Sequence, residues 1–175
     1  MNRCYLGDSY DAVKRLWQQV LADNAPLYAE PRFIPIELQP DFTRLTGIPI
    51  LSNQHSAHFS ILNDPDTGIR LPGESNQSVA LSHTSTAAIL DQLRQRRPSC
   101  IITFDQSHYR HIKLKQDEQR LAKMRSLSDG GGFSFYYVSH APFLFAFSTI
   151  TALQEIRELL LSTGIPESRF ETCVN

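Results

Sequence analysis

Cys100-Ile101-Ile102-Thr103-Phe104 runs for five consecutive positions without a charge and stops on Asp105. An unbroken short run of β-branched and aromatic residues marks a strand buried on both faces, and such a strand needs other elements packed above and below it. Phe133 to Val138 and Phe143 to Phe147 are two further strands by the same criterion, separated by Ser139-His140-Ala141-Pro142. Ala57 to Leu62 reads as another, and Arg3 to Gly7 as a short one that ends at Asp8. Between these runs the apolar spacing changes to that of helices. Tyr10, Val13, Leu16, Trp17, Val20 and Leu21 form one stripe, with Asp8 or Ser9 placed to cap it. Thr84 to Arg97 is a second helix, stopped by Pro98. Gln116 to Leu127 is a third, with Leu121, Met124 and Leu127 on one face, ended by Gly130-Gly131-Gly132. A fourth runs from Thr149 through Leu161 and is closed by Gly164 and Pro166.

Residues 24–50 hold five prolines, which predicts extended segments and turns with at most one helical turn near Asp41 to Leu45. Pro72 to His83 reads as a polar loop. The alternation predicts an α/β fold: a single three-layer domain over residues 1–175, with a mostly parallel central sheet flanked by helices. That sheet is expected to contain residues 58–62, 100–104 and 133–138.

Composition narrows the setting. Of 175 residues 41 % are hydrophobic and 20 % charged, a globular balance that excludes wholesale disorder or a fibrous repeat. The formal net charge of −1 argues against a histone-like polycation. No apolar run is long enough to span a bilayer, and the first residues lack the apolar core of a signal peptide. Three widely spaced cysteines, Cys4, Cys100 and Cys173, contain no C-x-x-C pair and fit reduced structural thiols. A cytoplasmic protein without membrane contact is the expectation.

Three of the expected strands end on aspartate: Asp8, Asp64 with Asp66, and Asp105. Ligands of open α/β sheets bind beyond the carboxyl ends of the strands. Carboxylates gathered there repel one another unless a cation bridges them, and Mg²⁺ or Mn²⁺ is the usual bridge in phosphate chemistry. Asp8, Asp64, Asp66 and Asp105 are therefore the candidate metal ligands. Asp64, Asp66 and Asp105 are candidate catalytic residues with His140, which follows a strand in a turn and is suited to acid–base work. Asp-Pro-Asp-Thr-Gly is equally good turn chemistry, and Asp8 equally a helix cap. Two His-x-x-His spacings, His55/His58 and His108/His111, lack a third soft ligand and a clear helix.

Charge is unevenly spread. Residues 94–125 carry nine basic and three acidic side chains, so the rest of the chain is acidic. Arg96, Arg97, Arg110 and Lys113 are candidate contacts to a nucleic-acid backbone, and Tyr109-Arg110-His111 mixes a ring with cations as single-strand sites do. A P-loop, a G-x-G-x-x-G after a strand and a G-x-S-x-G elbow are all missing, which disfavours P-loop ATP hydrolysis, classical dinucleotide binding and esterase chemistry.

Gly7-Asp8-Ser9-Tyr10-Asp11, Asp64-Pro65-Asp66-Thr67-Gly68, Phe104-Asp105-Gln106-Ser107 and Tyr137-Val138-Ser139-His140-Ala141 together resemble a family of uncharacterised bacterial and phage-encoded proteins. Asp64-Pro65-Asp66 is also faintly similar to the Asp-Pro-Pro-aromatic motif of adenine-type methyltransferases, with Asp66 and Thr67 in place of the second proline and the ring. The leading expectation is a Mg- or Mn-dependent phosphodiester hydrolase, nuclease-like, acting on nucleic acid. A methyltransferase-like fold and a non-catalytic interaction protein are the alternatives.

Overall fold

The computed structural model describes residues 6–52, 57–73, 82–110 and 112–173. Helix α1 spans Ser9–Leu21, α2 Gln39–Thr46, α3 Thr86–Arg96, α4 Gln116–Asp129 and α5 Ile150–Ser162. The strands are β1 Leu27–Ala29, β2 Ser60–Asn63, β3 Gly68–Ile69, β4 His83–Thr84, β5 Ile101–Phe104, β6 Phe133–Tyr137, β7 Phe143–Phe147 and β8 Phe170–Thr172. Six strands form one sheet in the order β1-β2-β5-β7-β6-β8, while β3 and β4 pair separately.

The expected runs 58–62, 100–104 and 133–138 thus contribute β2, β5 and β6 to one sheet of an α/β fold. The sheet is mixed, however, where a mostly parallel one was expected. β1–β2 and β2–β5 are parallel, whereas β5–β7, β7–β6 and β6–β8 are antiparallel. The physical reason is the short 138–142 link, which can only fold β7 back along β6 as a hairpin. That hairpin inserts β7 beside β5, so β6 runs in the direction of β5 without touching it. The carboxyl ends of β1, β2, β5 and β6 consequently share one edge of the sheet.

Strand residues alternate between two apolar clusters, as a pleated strand requires. Leu62, Ile102, Phe104, Phe135, Phe143, Phe145 and Phe147 join Trp17 and Leu21 of α1, Phe42 of α2 and Ile156 and Leu160 of α5. Ile61, Ile101, Tyr136, Leu144 and Ala146 join Ile89 and Leu93 of α3 and Met124 and Leu127 of α4. Aromatic geometry holds the first cluster together. Phe135 and Phe145, cross-strand partners, stack at 4.8 Å, and Trp17 meets Tyr137 and Phe145 edge-on at 4.9 and 5.4 Å.

Four local expectations change. Of the run expected as a strand at 3–7, residues 3–5 lie outside the described residues, and Leu6 and Gly7 sit in a turn. The helical turn near Asp41 is the two-turn helix α2, because Pro40 falls in its first turn, where no N–H is needed. β1 lies inside the proline-rich segment, and Pro49 and Ile50 close its outer side: Ala29 N–H donates to the Pro49 carbonyl and Leu51 N–H to that of Ala29, both at 2.8 Å. His83, expected in the 72–83 loop, and Thr84, expected to open the helix 84–97, pair with β3 as β4, so that helix begins at Thr86 behind the Ser85 cap; 74–81 of the loop lie outside the described residues. Cys100 is a buried free thiol that donates to Ser60 Oγ at 3.2 Å, and burial pushes its pKa up to about 12. Cys4 lies outside the described residues, as do His55 and His111 of the two His-x-x-His spacings. No described helix is long and apolar enough to cross a membrane.

Candidate functional site

Each of the three parallel strands is followed at the shared edge by a buried acid: Glu30 after β1, Asp64 after β2 and Asp105 just past β5. Each acid is met by a different helical cation. Arg96 of α3 reaches Glu30 at 2.9 Å, Lys14 of α1 reaches Asp64 at 2.7 Å, and Lys123 of α4 reaches Asp105 at 2.6 Å. A buried charge persists only when paired in this way.

Around Glu30 the pairing extends into a polar ladder. Gln92 Nε2 donates to Glu30 at 3.1 Å and to Asn63 Oδ1 at 3.2 Å, and Asn63 Nδ2 returns a bond to Gln92 Oε1 at 2.7 Å. Around Asp64, Lys14 also bonds Asp11 at 2.9 Å and lies 5.8 Å from the ring centres of both Phe42 and Phe104. Gly7 N–H donates to the other oxygen of Asp11 at 2.7 Å. Two carboxylates therefore share one ammonium in an apolar pocket. Burial opposes the charge on Lys14, but Asp64 and then Asp11 outweigh it, and its pKa is raised. Burial raises the pKa of Asp64, more than Lys14 lowers it, with Asp11 adding to the rise.

A carboxyl whose pKa is raised on folding contributes stability that is complete below its unfolded value and is lost as pH climbs through the folded one. Asp64→Asn should thus gain stability relative to the native chain as pH rises from about 4, the ordinary carboxyl value. Urea midpoints of both proteins over that rise check this; a constant difference overturns it.

Asp105 is the most heavily bonded residue at the edge. Its Oδ1 accepts from Ile69 N–H at 2.9 Å and Ser107 N–H at 3.2 Å, and its Oδ2 from Lys123 at 2.6 Å and the Tyr136 hydroxyl at 2.7 Å. Ser107 Oγ lies 2.6 Å from Asp105 Oδ1 and 2.7 Å from the Ile69 carbonyl oxygen, its hydroxyl donating toward them, and it accepts from Lys123 Nζ at 2.7 Å. The network joins β3, the turn after β5, α4 and β6. Burial lowers the pKa of Lys123, with Asp105 opposing, and raises that of Tyr136 well above its usual value, with Asp105 adding to the rise. Nearby His83 is held below its ordinary pKa by burial and then by Arg70. Room for the network depends on Gly68, whose φ is +131° and whose backbone lies against Asp105.

The expected site residues separate. Asp8 caps α1, its Oδ1 accepting from Tyr10 N–H at 2.8 Å and Asp11 N–H at 3.2 Å. Asp64 and Asp105, expected to share a cation, are drawn to opposite faces by Lys14 on α1 and Lys123 on α4, helices that belong to different apolar clusters. Asp66 and His140 are exposed, and the His140 ring lies on Tyr10. Five donors already occupy the oxygens of Asp105, and Asp64 is held by Lys14. Among the described residues no group of three His, Cys, Asp or Glu is placed to hold a metal ion.

The basic stretch divides as well. Arg96 is bound to Glu30, Arg120 chelates Glu171 at 2.7 and 2.8 Å, Lys123 is bound to Asp105, and Arg94 donates to the Gly130 carbonyl. Arg97, Arg110, Lys113, Lys115 and Arg125 are exposed, with no ion pair among the described residues. Arg110, Lys113 and Lys115 all lie between β5 and α4, in the loop that leaves the carboxyl edge. Sequence reasoning missed Glu30, Lys14, Lys123, Ser107 and Tyr136. Comparisons with protein-family models, with curated proteins and with solved structures found no match.

Proposed function

We propose that the chain binds the phosphodiester backbone of nucleic acid through the loop of residues 106–115. One observation carries the proposal: this loop holds Arg110, Lys113 and Lys115 with no acid, and these cations are exposed while Arg96, Arg120 and Lys123 are neutralised by internal carboxylates. Phosphate oxygens are the partners that mobile surface cations take up with release of counterions. No reaction is assigned to the bound strand, because Asp64 and Asp105 already hold their own lysines. That favours a binding role over the hydrolase and methyltransferase-like readings. Apolar clusters on both faces of the sheet support one three-layer domain, and the free buried thiol of Cys100 fits a cytoplasmic setting.

Fluorescence polarisation of labelled oligonucleotides at two salt concentrations tests this. Arg110→Ala with Lys113→Ala should weaken binding to every sequence alike, since phosphate contacts position the chain without reading bases. The salt slope should fall by about 0.7 to 0.9 log units per log salt for each phosphate contact removed. Arg96→Ala, which removes a cation already bound to Glu30, should leave the slope unchanged. A native chain that binds no oligonucleotide at low salt overturns the proposal in favour of a protein partner.

A further inference from the structure

We infer that Tyr10 and His140 form a stacking platform for an unpaired base, so that the ligand of the carboxyl edge is single-stranded nucleic acid. The inference rests on the backbone-binding role proposed for residues 106–115. Tyr10 stands in the first turn of α1 and His140 in the link after β6, so two distant parts of the chain bring their rings together at this edge. The ring centres are 5.9 Å apart and the planes lie within 26° of parallel. Tyr10 is fixed from beneath: its ring packs on buried Phe104 at 5.2 Å, and its hydroxyl accepts a hydrogen bond from Gln106 Nε2. His140 is exposed, and among the described residues it meets no ring but Tyr10. Phe104, Tyr10 and His140 thus step outward from the core, and the last ring ends in solvent.

The step adjoins the cations. Gln106, which anchors Tyr10, is the first residue of the basic loop, and Arg110 is four residues further on, at most about 14 Å of extended chain away. A backbone held at Arg110 therefore comes within reach of His140, while Lys113 lies farther along the loop, between Ile112 and Leu114 beside Ala122 and Arg125 of α4. Aromatic platforms beside a cationic track are how single strands are held, because every base offers a π-face once it is unpaired. Inside a duplex both faces of a base are covered by its neighbours, and a ring on the protein has nothing to stack on.

The test compares labelled single strands, DNA and RNA, with duplex DNA of the same length at low salt. The native chain is set beside His140→Ala, His140→Phe and the Arg110→Ala, Lys113→Ala double variant, each with its thermal melt. His140→Ala should weaken single-strand binding by about 5- to 150-fold, the range of one lost base stack. Duplex binding should stay within about twofold, and His140→Phe, a ring without a charge, should restore the single-strand affinity. Equal losses on single strand and duplex, failure of phenylalanine to restore, or no loss at all overturn the platform while leaving backbone binding in place. If the Arg110, Lys113 double variant binds both forms as well as the native chain, or the native chain binds neither, the backbone role falls and the platform with it.

Discussion

Lys123→Met should lower the free energy of unfolding by about 3 to 5 kcal/mol, the usual consequence of removing one partner from a buried ion pair. Lys123 and Asp105 are both buried, and methionine fills the space of the lysine stem while leaving the carboxylate without its counter-charge. Tyr136 and Ser107 would still donate to Asp105, but neutral donors do not replace a charge. Combining Lys123→Met with Asp105→Asn should recover only part of the loss: the uncompensated charge is gone and the Tyr136 bond keeps an acceptor, but the amide NH2 then faces the Ile69 and Ser107 N–H donors. Urea denaturation at pH 7 with an unchanged m-value is the measurement. A loss below about 1 kcal/mol would mean that water reaches the pair and that it behaves as a surface salt bridge.

Gly68→Ala should be nearly as damaging. An added Cβ would lie 2.2 Å from Asp105 Oδ1 and 2.8 Å from Asp105 Cα, and the second of these is backbone that cannot step aside. The φ of +131° adds strain for any residue with a side chain. Overpacking of about 1 to 3 kcal/mol and backbone strain of about 1 to 3 kcal/mol combine to a loss of about 3 kcal/mol or more. Because both substitutions act on Asp105, Gly68→Ala and Lys123→Met should together cost less than their sum. Urea midpoints of the two single variants and the double variant decide, and strict additivity would place the two effects at independent sites.

Elements whose signal is local were legible in the sequence. The runs that became β5, β6 and β7 are apolar almost throughout, that of β2 less so, and the helices carry their stripes and stops within their own residues. β1 was not legible, because Leu27-Tyr28-Ala29 is only three residues between Pro26 and Pro31 and its pairing comes from Ser60 to Leu62 far along the chain. The place of β7 between β5 and β6 is likewise a tertiary choice. At the edge, the acids were half legible: Asp64 and Asp105 could be placed by their strands, but their cations could not. The signal for those cations was present in the helical spacing. The buried face of α1 is Asp11, Lys14, Trp17 and Leu21, and that of α4 is Gln119, Lys123, Met124 and Leu127. In each helix the apolar stripe continues through a lysine, and a periodicity that counts only apolar residues assigns that lysine to solvent.

The two margins of the sheet have a consequence for any partner. A strand edge with unpaired N–H and C=O groups invites another chain to extend the sheet. Here the outer side of β1 is taken by Pro49 and Ile50, and proline has no N–H to offer a newcomer. At the other margin β8 is three residues long, and its Glu171 is clamped by Arg120. Among the described residues neither margin is a long bare strand. Strand addition is disfavoured at both margins, and with it sheet-to-sheet pairing between copies of the chain.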